Sequence, residues 1–514
     1  MIRKGIVGEI LLGIDIGTTS CKVGVYDLKG NIVAQAFKSY PTYQVAPREI
    51  EQNPQDWWKA VEIAIAEIRG RAKVKMSSIV GIGLSGQTPT QVFVDRKGKI
   101  LRRAIIWRDT RSVEEARGIR KKIGKGRMEK FLGMDLPIQP NWPPARLLWL
   151  KKHEPQILQK TFKILQAKDF IGYKLTGCFF SDRWCSKGMV NLKTGKVSSE
   201  YFKVLGISEE IVPEIYEPYE IVGRVKKEIG NRIGIPSGIP VVAGWSDALC
   251  GMFATGSFSA SGRAFNITGT SEIVGLTSLS LPKLTYGLMS IPSNITNSVS
   301  VLYGPTQSGG DSLKWAGEAL VGLEETTGSE GLSLRGLDSL LSEAESIVPG
   351  SKDMIFLPYL EGERAPIWDA HAKGLFIGIT RTHQRAHFIR SILEGVAYSV
   401  RHLLEIAEKS VGRKVDRIRI AGGGAKIDLW NQIRADVTGR CIEKLQVVET
   451  GTLGAAMLAS LGIGVCKNVK EVSKQMVHVA SLVEPVREHQ KQYDKLFKIY
   501  KKLYPLLKPI FHKL

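Results

Sequence analysis

The sequence is poor in cysteine, and its cysteines follow no metal or redox motif. Its 514 residues include six cysteines and eight histidines, with no C-x-x-C pair and no histidines at metal-ligand spacing. This scarcity excludes a disulfide framework and a cysteine-based zinc site. It also favours a reducing environment, and we therefore expect a cytoplasmic protein.

Long apolar runs are missing as well. No stretch approaches 18 uninterrupted apolar residues, so we expect no transmembrane helix and no membrane partner. The N-terminus has basic residues and an apolar run, but Glu9 interrupts that run, and we expect no signal peptide. A Walker A sequence and a G-x-S-x-G motif are also absent, which excludes a P-loop nucleotide site and a nucleophile-elbow hydrolase.

Acidic residues are outnumbered by basic ones. The chain has 72 Lys and Arg against 50 Asp and Glu, a formal net charge of +22. Such a charge could indicate an anionic partner such as nucleic acid, or simply a solvated basic surface. The basic residues are spread along the chain rather than clustered, which favours the solvated surface, so we expect no nucleic-acid partner. The length fits two to four domains.

Near the N-terminus, two predicted strands flank a short polar loop. Residues 11–14 and 22–26 are the strands, and residues 17–20 (Gly-Thr-Thr-Ser) form the loop. Such a loop can direct several N–H and hydroxyl groups at a phosphate, while Asp15 could hold a magnesium ion through water and Lys22 could add positive charge. The alternative is an ordinary hairpin turn.

The same device recurs about 250 residues later. Residues 263–267 read as a strand, and residues 269–271 (Gly-Thr-Ser) repeat the loop before further apolar residues. This repetition predicts two similar domains rather than a solenoid. Two such hairpins could clamp phosphates from both sides, with the nucleotide between the domains.

Further candidates follow predicted strands. Gln87 and Thr88 lie in a polar loop after the apolar strand at residues 79–84, a position where α/β proteins often bind ligands. Trp107 could pack against a sugar face or simply be buried in a core. Asp247 could accept a proton from a substrate hydroxyl, or it could cap a helix. Residues 422–425 (Gly-Gly-Gly-Ala) could admit an adenine ring or form a packing turn.

Together these residues resemble the FGGY family of carbohydrate kinases over nearly the whole chain, from about residue 12 to residue 461. The most specific match is the C-terminal signature, at residues 374–379 and 387–394. The N-terminal signature fits less closely, because Arg146 stands where the family usually has Lys. Residues 51–54 and 356–366 are most similar to those of the xylulokinases within the family.

The resemblance implies an α/β fold of two actin-like (ribonuclease H-like) domains with a catalytic cleft between them. We expect an N-terminal, sugar-binding domain at residues 1–255 and a C-terminal, nucleotide-binding domain at residues 256–514. Homodimers are common among the relatives, so a homodimer is possible here. The expected activity is ATP- and Mg²⁺-dependent phosphorylation of a small sugar.

The resemblance also assigns roles to single residues. It implies that Asp247 is the catalytic base and that Asp15 lies near the magnesium ion and the reacting hydroxyl. It places the sugar pocket at Gln87, Thr88, Trp107 and Asp247. It places the nucleotide contacts at Gly17, Thr18, Thr19, Lys22, Gly269, Thr270, Gly310, Gly424, Ala425 and Asp428.

Two positions depart from the xylulokinase pattern. Thr88 and Pro89 stand where Met and His are typical, and Ala248 stands where Asn usually follows the catalytic Asp. Because a lost polar contact can change specificity by orders of magnitude, the substrate could be a pentulose, another ketose, a polyol or a sugar acid. Two other hypotheses remain: a non-catalytic sugar or nucleotide sensor, and an actin- or chaperone-like ATPase.

Overall fold

The computed structural model describes residues 8–71, 74–134, 138–322 and 336–514. The chain forms two units. The first consists of Met1–Ala254 and Gly451–Met476, and the second of Thr255–Thr450 and Val477–Leu514. In the described part of the chain, no helix is long and apolar enough to cross a membrane.

Strands and helices alternate along both units. The strands are β1 (Ile10–Ile16), β2 (Ser20–Asp27), β3 (Ile32–Ser39), β4 (Tyr43–Ala46), β5 (Glu49–Gln52), β6 (Ile79–Gly86), β7 (Val92–Val94), β8 (Ala104–Ile105), β9 (Lys163–Leu165), β10 (Phe180–Asp182), β11 (Glu214–Tyr216), β12 (Ile221–Arg224), β13 (Pro240–Val242), β14 (Trp245–Ser246), β15 (Ala264–Thr268), β16 (Glu272–Ser278), β17 (Met289–Ile291), β18 (Ser300–Pro305), β19 (Ile355–Leu357), β20 (Leu375–Ile377), β21 (Arg417–Gly422), β22 (Cys441–Leu445) and β23 (Val479–Val483). The helices are α1 (Pro54–Arg69), α2 (Val113–Ile123), α3 (Lys125–Leu132), α4 (Pro143–His153), α5 (Pro155–Lys160), α6 (Ala167–Thr176), α7 (Ser199–Leu205), α8 (Lys227–Ile233), α9 (Asp247–Ala254), α10 (Ser293–Thr296), α11 (Gly310–Val321), α12 (Leu337–Glu345), α13 (Arg385–Val411), α14 (Asp428–Thr438), α15 (Thr450–Gly462), α16 (Val469–Met476) and α17 (Arg487–Phe511).

The main sheet of the first unit has the order β12-β13-β6-β1-β2-β3, with β14 also paired to β6. Strands β1, β2 and β3 form an antiparallel meander, and β6 runs parallel to β1. All seven residues of β1 are buried, as expected for a central strand covered on both faces. Parallel pairing places the carboxyl ends of β1 and β6 at one edge of the sheet.

The main sheet of the second unit has the order β17-β18-β16-β15-β21-β22-β23. Here β15, β16 and β18 form the antiparallel meander, and β21 and β22 continue the sheet in parallel. The strand order therefore repeats that of the first unit. The duplication predicted from the two Gly/Thr/Ser loops is present, and each loop closes the first hairpin of its own sheet.

Helix α1 shows how closely local sequence signals define an element. The Asn53 side chain accepts a hydrogen bond from Gln55 N at 3.1 Å, Pro54 occupies the first turn, and Gly70 ends the helix. Its apolar face, which includes Trp57 and Trp58, is buried. The predicted start, end and buried face of this helix are confirmed.

Helix α15 packs tightly against the sheet of the first unit through glycines. A Cβ at Gly13 would collide with the carbonyl oxygen of Thr452, and one at Gly83 with that of Ala455. Gly454 lies equally close to the backbone of Cys250. Because these contacts attach residues 451–476 to the first unit, the structural division differs from the uninterrupted ranges 1–255 and 256–514.

Candidate active site

Asp15 is the penultimate residue of β1 and lies at the sheet edge that also holds the end of β6. The side chain is buried, and Ser85 on β6 donates its hydroxyl to Asp15 Oδ1 at 2.7 Å. Gly451 packs against the other carboxylate oxygen so closely that a Cβ there would lie 2.7 Å from it. The carboxylate is therefore held in one orientation by the strand pairing, a hydroxyl and a glycine.

Asp247 begins helix α9 directly after β14, which pairs with β6. Its Oδ1 accepts a hydrogen bond from Ala248 N at 2.7 Å. Loss of hydration in the surrounding protein, together with the negative charge of Asp15, raises the pKa of Asp247 to about 7. A carboxylate with this pKa can take a proton from a hydroxyl at neutral pH and release it again.

Lys187 is the cation that acts on Asp247. The lysine is buried, its Nζ lies 5.3 Å from the Trp184 ring, and burial lowers its pKa. The negative charge of Asp247 opposes this lowering, and the charge of Lys187 in turn opposes the raised pKa of Asp247. Sequence analysis did not single out Lys187, because a lone lysine in a loop carries no local signal.

Carboxylates alone do not form a metal site here. Within the described ranges, no group of three or more His, Cys, Asp or Glu side chains could hold a metal ion. Magnesium, however, is usually bound through one or two carboxylates together with substrate phosphates. Asp15 fits that requirement as a single protein ligand or as a partner of a magnesium-bound water.

The first polar loop is held by three side chains. Tyr40 donates its hydroxyl to Gly17 O at 2.5 Å, and Gln52 donates Nε2 to Thr18 O at 2.6 Å. Trp107 donates its indole N–H to Thr18 Oγ1 at 2.9 Å. The predicted sugar-pocket residue Trp107 therefore also supports the predicted phosphate loop.

The β1–β2 hairpin positions the remaining predicted residues of this region, Thr19 and Lys22. Thr19 accepts a hydrogen bond from Tyr40 N at 3.2 Å through its carbonyl oxygen. Lys22 lies opposite Asp15 in the β1–β2 register, with its Nζ 5.9 Å from the Phe37 ring. The structure thus brings Asp15, the loop and Lys22 together at one end of the hairpin.

Gln87 and Thr88 follow β6 and are both held by glutamines. The Gln87 side chain is fully buried and donates Nε2 to Gln52 Oε1 at 2.7 Å, while its backbone N–H bonds Ile16 O at 2.8 Å. Thr88 donates its hydroxyl to Gln166 Oε1 at 3.1 Å. These contacts bring both predicted sugar residues to the sheet edge occupied by Asp15.

A buried lysine, Lys168, contributes to the hydrogen-bond network behind the Gln87–Thr88 loop. Lys168 Nζ contacts Asp169 at 2.6 Å, Asp182 at 3.0 Å and Ala243 O at 3.0 Å. Although burial alone would lower the pKa of Lys168, the two carboxylates raise it. Asp169 also accepts from Gln166 N at 2.9 Å, so a continuous polar network joins the Thr88 loop to Ala243, in the segment between β13 and β14 that leads to Asp247.

Arg146 is the residue that departs from the family signature, and it is fully buried. Its guanidinium donates to the carbonyl oxygens of Ile105 (2.7 Å), Asp109 (3.2 Å) and Pro89 (3.4 Å), and also to Gln91 Oε1 and Ile106 O. Burial lowers the pKa of Arg146 to about 9. Arg146 therefore links the segment after Thr88 to the segment that carries Trp107.

In the second unit, the Gly/Thr/Ser loop is held by backbone hydrogen bonds. Gly309 N donates to Thr270 O at 2.7 Å, and Gly310 N donates to Gly269 O at 2.8 Å. Gly309 approaches the loop so closely that a Cβ would lie 2.8 Å from the carbonyl carbon of Ser271. Three predicted nucleotide residues, Gly269, Thr270 and Gly310, are thus in direct contact.

The glycine-rich turn after β21 joins the same cluster. Thr268 donates its hydroxyl to Ala421 O at 3.1 Å and accepts from Ala425 N at 3.1 Å. Gly424 packs over Thr268, where a Cβ would lie 2.9 Å from Oγ1. Asp428 lies slightly farther along, at the start of α14, with its exposed carboxylate 2.7 Å from Lys444 Nζ.

A buried ion pair that sequence analysis missed lies beneath this loop. Arg434 Nη2 contacts Glu272 Oε1 at 2.9 Å, and Asn266 Nδ2 donates to Glu272 Oε2 at 2.7 Å. Burial lowers the pKa of Arg434. Since Glu272 directly follows the loop and Arg434 lies on α14, the pair connects the loop to the helix that starts at Asp428.

Two domain matches account for most of the chain. Residues 10–254 match the N-terminal domain of the FGGY family of carbohydrate kinases, and residues 264–463 match its C-terminal domain. The xylulose kinase of Bacillus subtilis (strain 168) is 29% identical over 503 residues, which cover 96% of this chain and 97% of that protein.

Two solved structures extend the comparison to the fold. The ligand-bound xylulose kinase from Lactobacillus acidophilus is 28% identical, with a TM-score of 0.84 over 98% of this chain and 99% of that one. The gluconate kinase from Lactobacillus acidophilus is also 28% identical, with a TM-score of 0.83 over the same shares. The predicted α/β fold of two actin-like domains is confirmed.

Proposed function

The chain belongs to the FGGY family of carbohydrate kinases, and on that premise we propose that it transfers the γ-phosphoryl group of ATP to a hydroxyl of a pentulose such as D-xylulose. The enzyme is an ATP-dependent carbohydrate kinase. The pentulose is proposed because xylulose kinases are similar to this chain in both sequence and structure over nearly its whole length.

One observation carries the mechanism. Asp247, the first residue of α9, has a pKa raised to about 7 by loss of hydration and by the charge of Asp15. A group that transfers protons at neutral pH works best when its pKa lies near that pH. We assign Asp247 as the base that accepts the proton of the attacking sugar hydroxyl, the role expected from the resemblance.

The other residues divide between the two ligands. We propose that the first unit binds the sugar through Gln87, Thr88 and Trp107. The second unit is proposed to bind ATP, with the phosphates at Gly269, Thr270 and Gly310 and the adenine near Gly424, Ala425 and Asp428. The first polar loop (Gly17, Thr18, Thr19) and Lys22 would meet the terminal phosphates. Backbone N–H groups and a lysine stabilise the charge of a transferring phosphoryl group.

A magnesium ion would complete the charge balance. The carboxylate of Asp15 is oriented by Ser85 and Gly451 and is suited to hold the ion directly or through water. When bound, magnesium neutralises phosphate charge and so assists phosphoryl transfer. The protein residues orient the hydroxyl and accept its proton.

A sugar acid is the second candidate substrate, and one observation favours it. Lys187 is a buried cation close enough to Asp247 for the two charges to shift each other's pKa. A cation beside the sugar site could pair with a substrate carboxylate. A gluconate kinase is also among the similar structures.

The test is ATP consumption by the purified protein with magnesium and a panel of ketoses, aldoses, polyols and sugar acids. We expect D-xylulose or another pentulose to give the largest stimulation. Removal of magnesium by a chelator should abolish it, and Asp247→Asn should reduce it at least about 100-fold. Stimulation by gluconate alone would identify the sugar acid instead, and no stimulation by any compound would contradict the proposed function.

Two further properties remain proposals. We propose a cytoplasmic location, because the reaction needs ATP and the cysteine content suits a reducing compartment. A homodimer is proposed only from the resemblance to the family, and sedimentation of the purified protein would test it.

A further inference from the structure

Gln52 lies between the two loops that the proposed function uses in the first unit. It ends strand β5, directly before the cap of α1, and is fully buried. Its Nε2 donates to Thr18 O at 2.6 Å and to Thr42 Oγ1 at 2.7 Å. Its Oε1 accepts from Trp57 Nε1 at 3.0 Å and from Gln87 Nε2 at 2.7 Å. Both donors and both acceptor positions of this one amide are therefore occupied.

The chemistry of its partners fixes which way this amide points. The Trp57 indole N–H can only donate, so the Gln52 atom facing it must be the oxygen. The Thr18 carbonyl can only accept, so the atom facing it must be the nitrogen. The two partners agree, and a flipped Gln52 amide would lose a hydrogen bond at each end.

The orientation of the Gln52 amide also fixes the orientation of the Gln87 amide. Because Gln52 presents its oxygen, Gln87 must present Nε2 to it, and its own Oε1 must point elsewhere. That Oε1 is buried and has no hydrogen-bond partner among the described residues. A buried acceptor without a donor is costly, so this position favours a ligand that brings a hydroxyl.

We infer that Gln52 is a positioning residue with two roles. It aims Gln87 Oε1 so that it accepts a hydrogen bond from a hydroxyl of the substrate, and it ties that side chain to Thr18 of the first phosphate loop. Sugar recognition and phosphate placement thus share a single amide. The inference rests on the proposed function, because it requires a sugar beside Gln87 and a phosphate beside residues 17–20.

Adjacent tryptophans on α1 provide a matched pair of variants. Trp57→Phe removes the donor that Gln52 Oε1 accepts, whereas Trp58 Nε1 has no hydrogen-bond partner among the described residues. Both side chains are almost fully buried, so the two changes remove the same group from similar surroundings. We expect Trp57→Phe to raise the KM for the sugar about three- to tenfold, the range of one neutral hydrogen bond. Trp58→Phe should leave it within about twofold.

Gln52→Glu tests the other end of the amide. Once ionised, the new carboxylate can still accept from Trp57 and Gln87, but it sets an oxygen against the Thr18 carbonyl. Because a neutral carboxyl would instead donate to that carbonyl, turnover is measured at the highest pH at which the wild type stays active. We expect kcat to fall and the KM for ATP to rise, by about tenfold in kcat/KM for ATP, since a repulsive contact replaces a hydrogen bond. The KM for the sugar should change less than in Trp57→Phe.

The measurement is the pair of KM values and kcat for the wild type and these three variants, with the melting temperature of each. The inference is supported if Trp57→Phe mainly raises the KM for the sugar and Gln52→Glu mainly lowers kcat/KM for ATP. Equal KM values for the sugar in Trp57→Phe and Trp58→Phe, with a wild type that turns over the sugar, would overturn it. The inference would also be overturned if each variant lost activity only in proportion to its fall in melting temperature, with equal changes in kcat/KM for the sugar and for ATP. A wild type without sugar-stimulated turnover is a different result, which refutes the proposed function and this inference with it.

Discussion

The two polar loops, residues 17–20 and residues 269–271, close equivalent hairpins but are held in place by different groups. The first loop accepts hydrogen bonds from the side chains of Tyr40, Gln52 and Trp107. The second accepts them from the backbone of residues 309–311 and packs directly against Gly309. The first turn is thus fixed mainly by polar side chains, with one backbone hydrogen bond from Tyr40 N, and the second is fixed by main chain.

This difference indicates what each unit can do. The Gln52 side chain joins Thr18 of the first loop to Gln87, and the Trp107 side chain contacts Thr18 as well. A main-chain support offers fixed N–H and C=O positions that do not depend on side-chain identity. The first loop therefore depends on the identity of its neighbouring side chains more than the second loop does, which agrees with the sugar and ATP sites proposed for the two units. Substitutions should affect the two units in different ways.

Asp247→Asn should have the largest effect, because it removes the carboxylate proposed to accept the proton of the sugar hydroxyl. We expect kcat to fall about 100- to 10,000-fold, the usual contribution of a general base. ATP binding, measured by calorimetry, should change less than about twofold, since the second unit supplies most of the proposed contacts. Turnover near the wild-type rate would contradict the assigned role.

Gly309→Ala should be the most damaging small change in the second unit. The new Cβ would lie 2.8 Å from the Ser271 carbonyl carbon and must displace the loop. We expect the KM for ATP to rise about tenfold or more and the protein to lose about 1–3 kcal/mol of stability, as overpacking usually costs. The control is Gly118→Ala on the exposed face of α2, where a Cβ would meet nothing within 4 Å. Equal effects of the two variants would mean that the loop is not held by this contact.

Trp107→Phe should have a smaller effect, because Tyr40 and Gln52 continue to hold the first loop. The change removes the 2.9 Å hydrogen bond to Thr18 Oγ1 but keeps most of the ring. We expect kcat/KM for ATP to fall about two- to tenfold, as for one neutral hydrogen bond. A loss of activity as large as that of Asp247→Asn would show that Tyr40 and Gln52 cannot hold the loop without Trp107.

The last prediction concerns stability rather than activity, and it should appear as a change in melting temperature with pH. Because the pKa of Asp247 is raised to about 7, against about 4 in an unfolded chain, the folded protein binds the extra proton between these values. The contribution of Asp247 to the free energy of unfolding therefore decreases as the pH rises from about 4 to 7. Asp247→Asn stays neutral, so it should melt at a higher temperature than the wild type at pH 8 and at a similar temperature near pH 4. A variant that is less stable at pH 8 would contradict the raised pKa.

Local signals were enough to predict much of the fold. The cap at Asn53, the Gly/Thr/Ser loops and the strand before Gln87 each depend on neighbours within a few residues, and all occur where expected. The predicted residues of each loop also lie together in the structure, since turns and strand ends bring them there.

Contacts between distant residues could not be predicted in this way. Glu272 and Arg434 are 162 residues apart, and nothing near either one indicates the other. Gln52 was noted only within a family motif, and its link to Gln87 depends on strand pairing. Residues 451–476 return to the first unit because glycines of two strands admit α15, which no local pattern reveals.

The most direct test of the account is to follow the phosphoryl group itself. The protein, magnesium and D-xylulose would be incubated with ATP carrying a labelled γ-phosphate, and the labelled products would be separated. We expect the label to move to a sugar phosphate in the wild type, and to do so at least about 100-fold more slowly in Asp247→Asn. Label found only in inorganic phosphate, with or without any sugar in the panel, would contradict it and identify an ATPase.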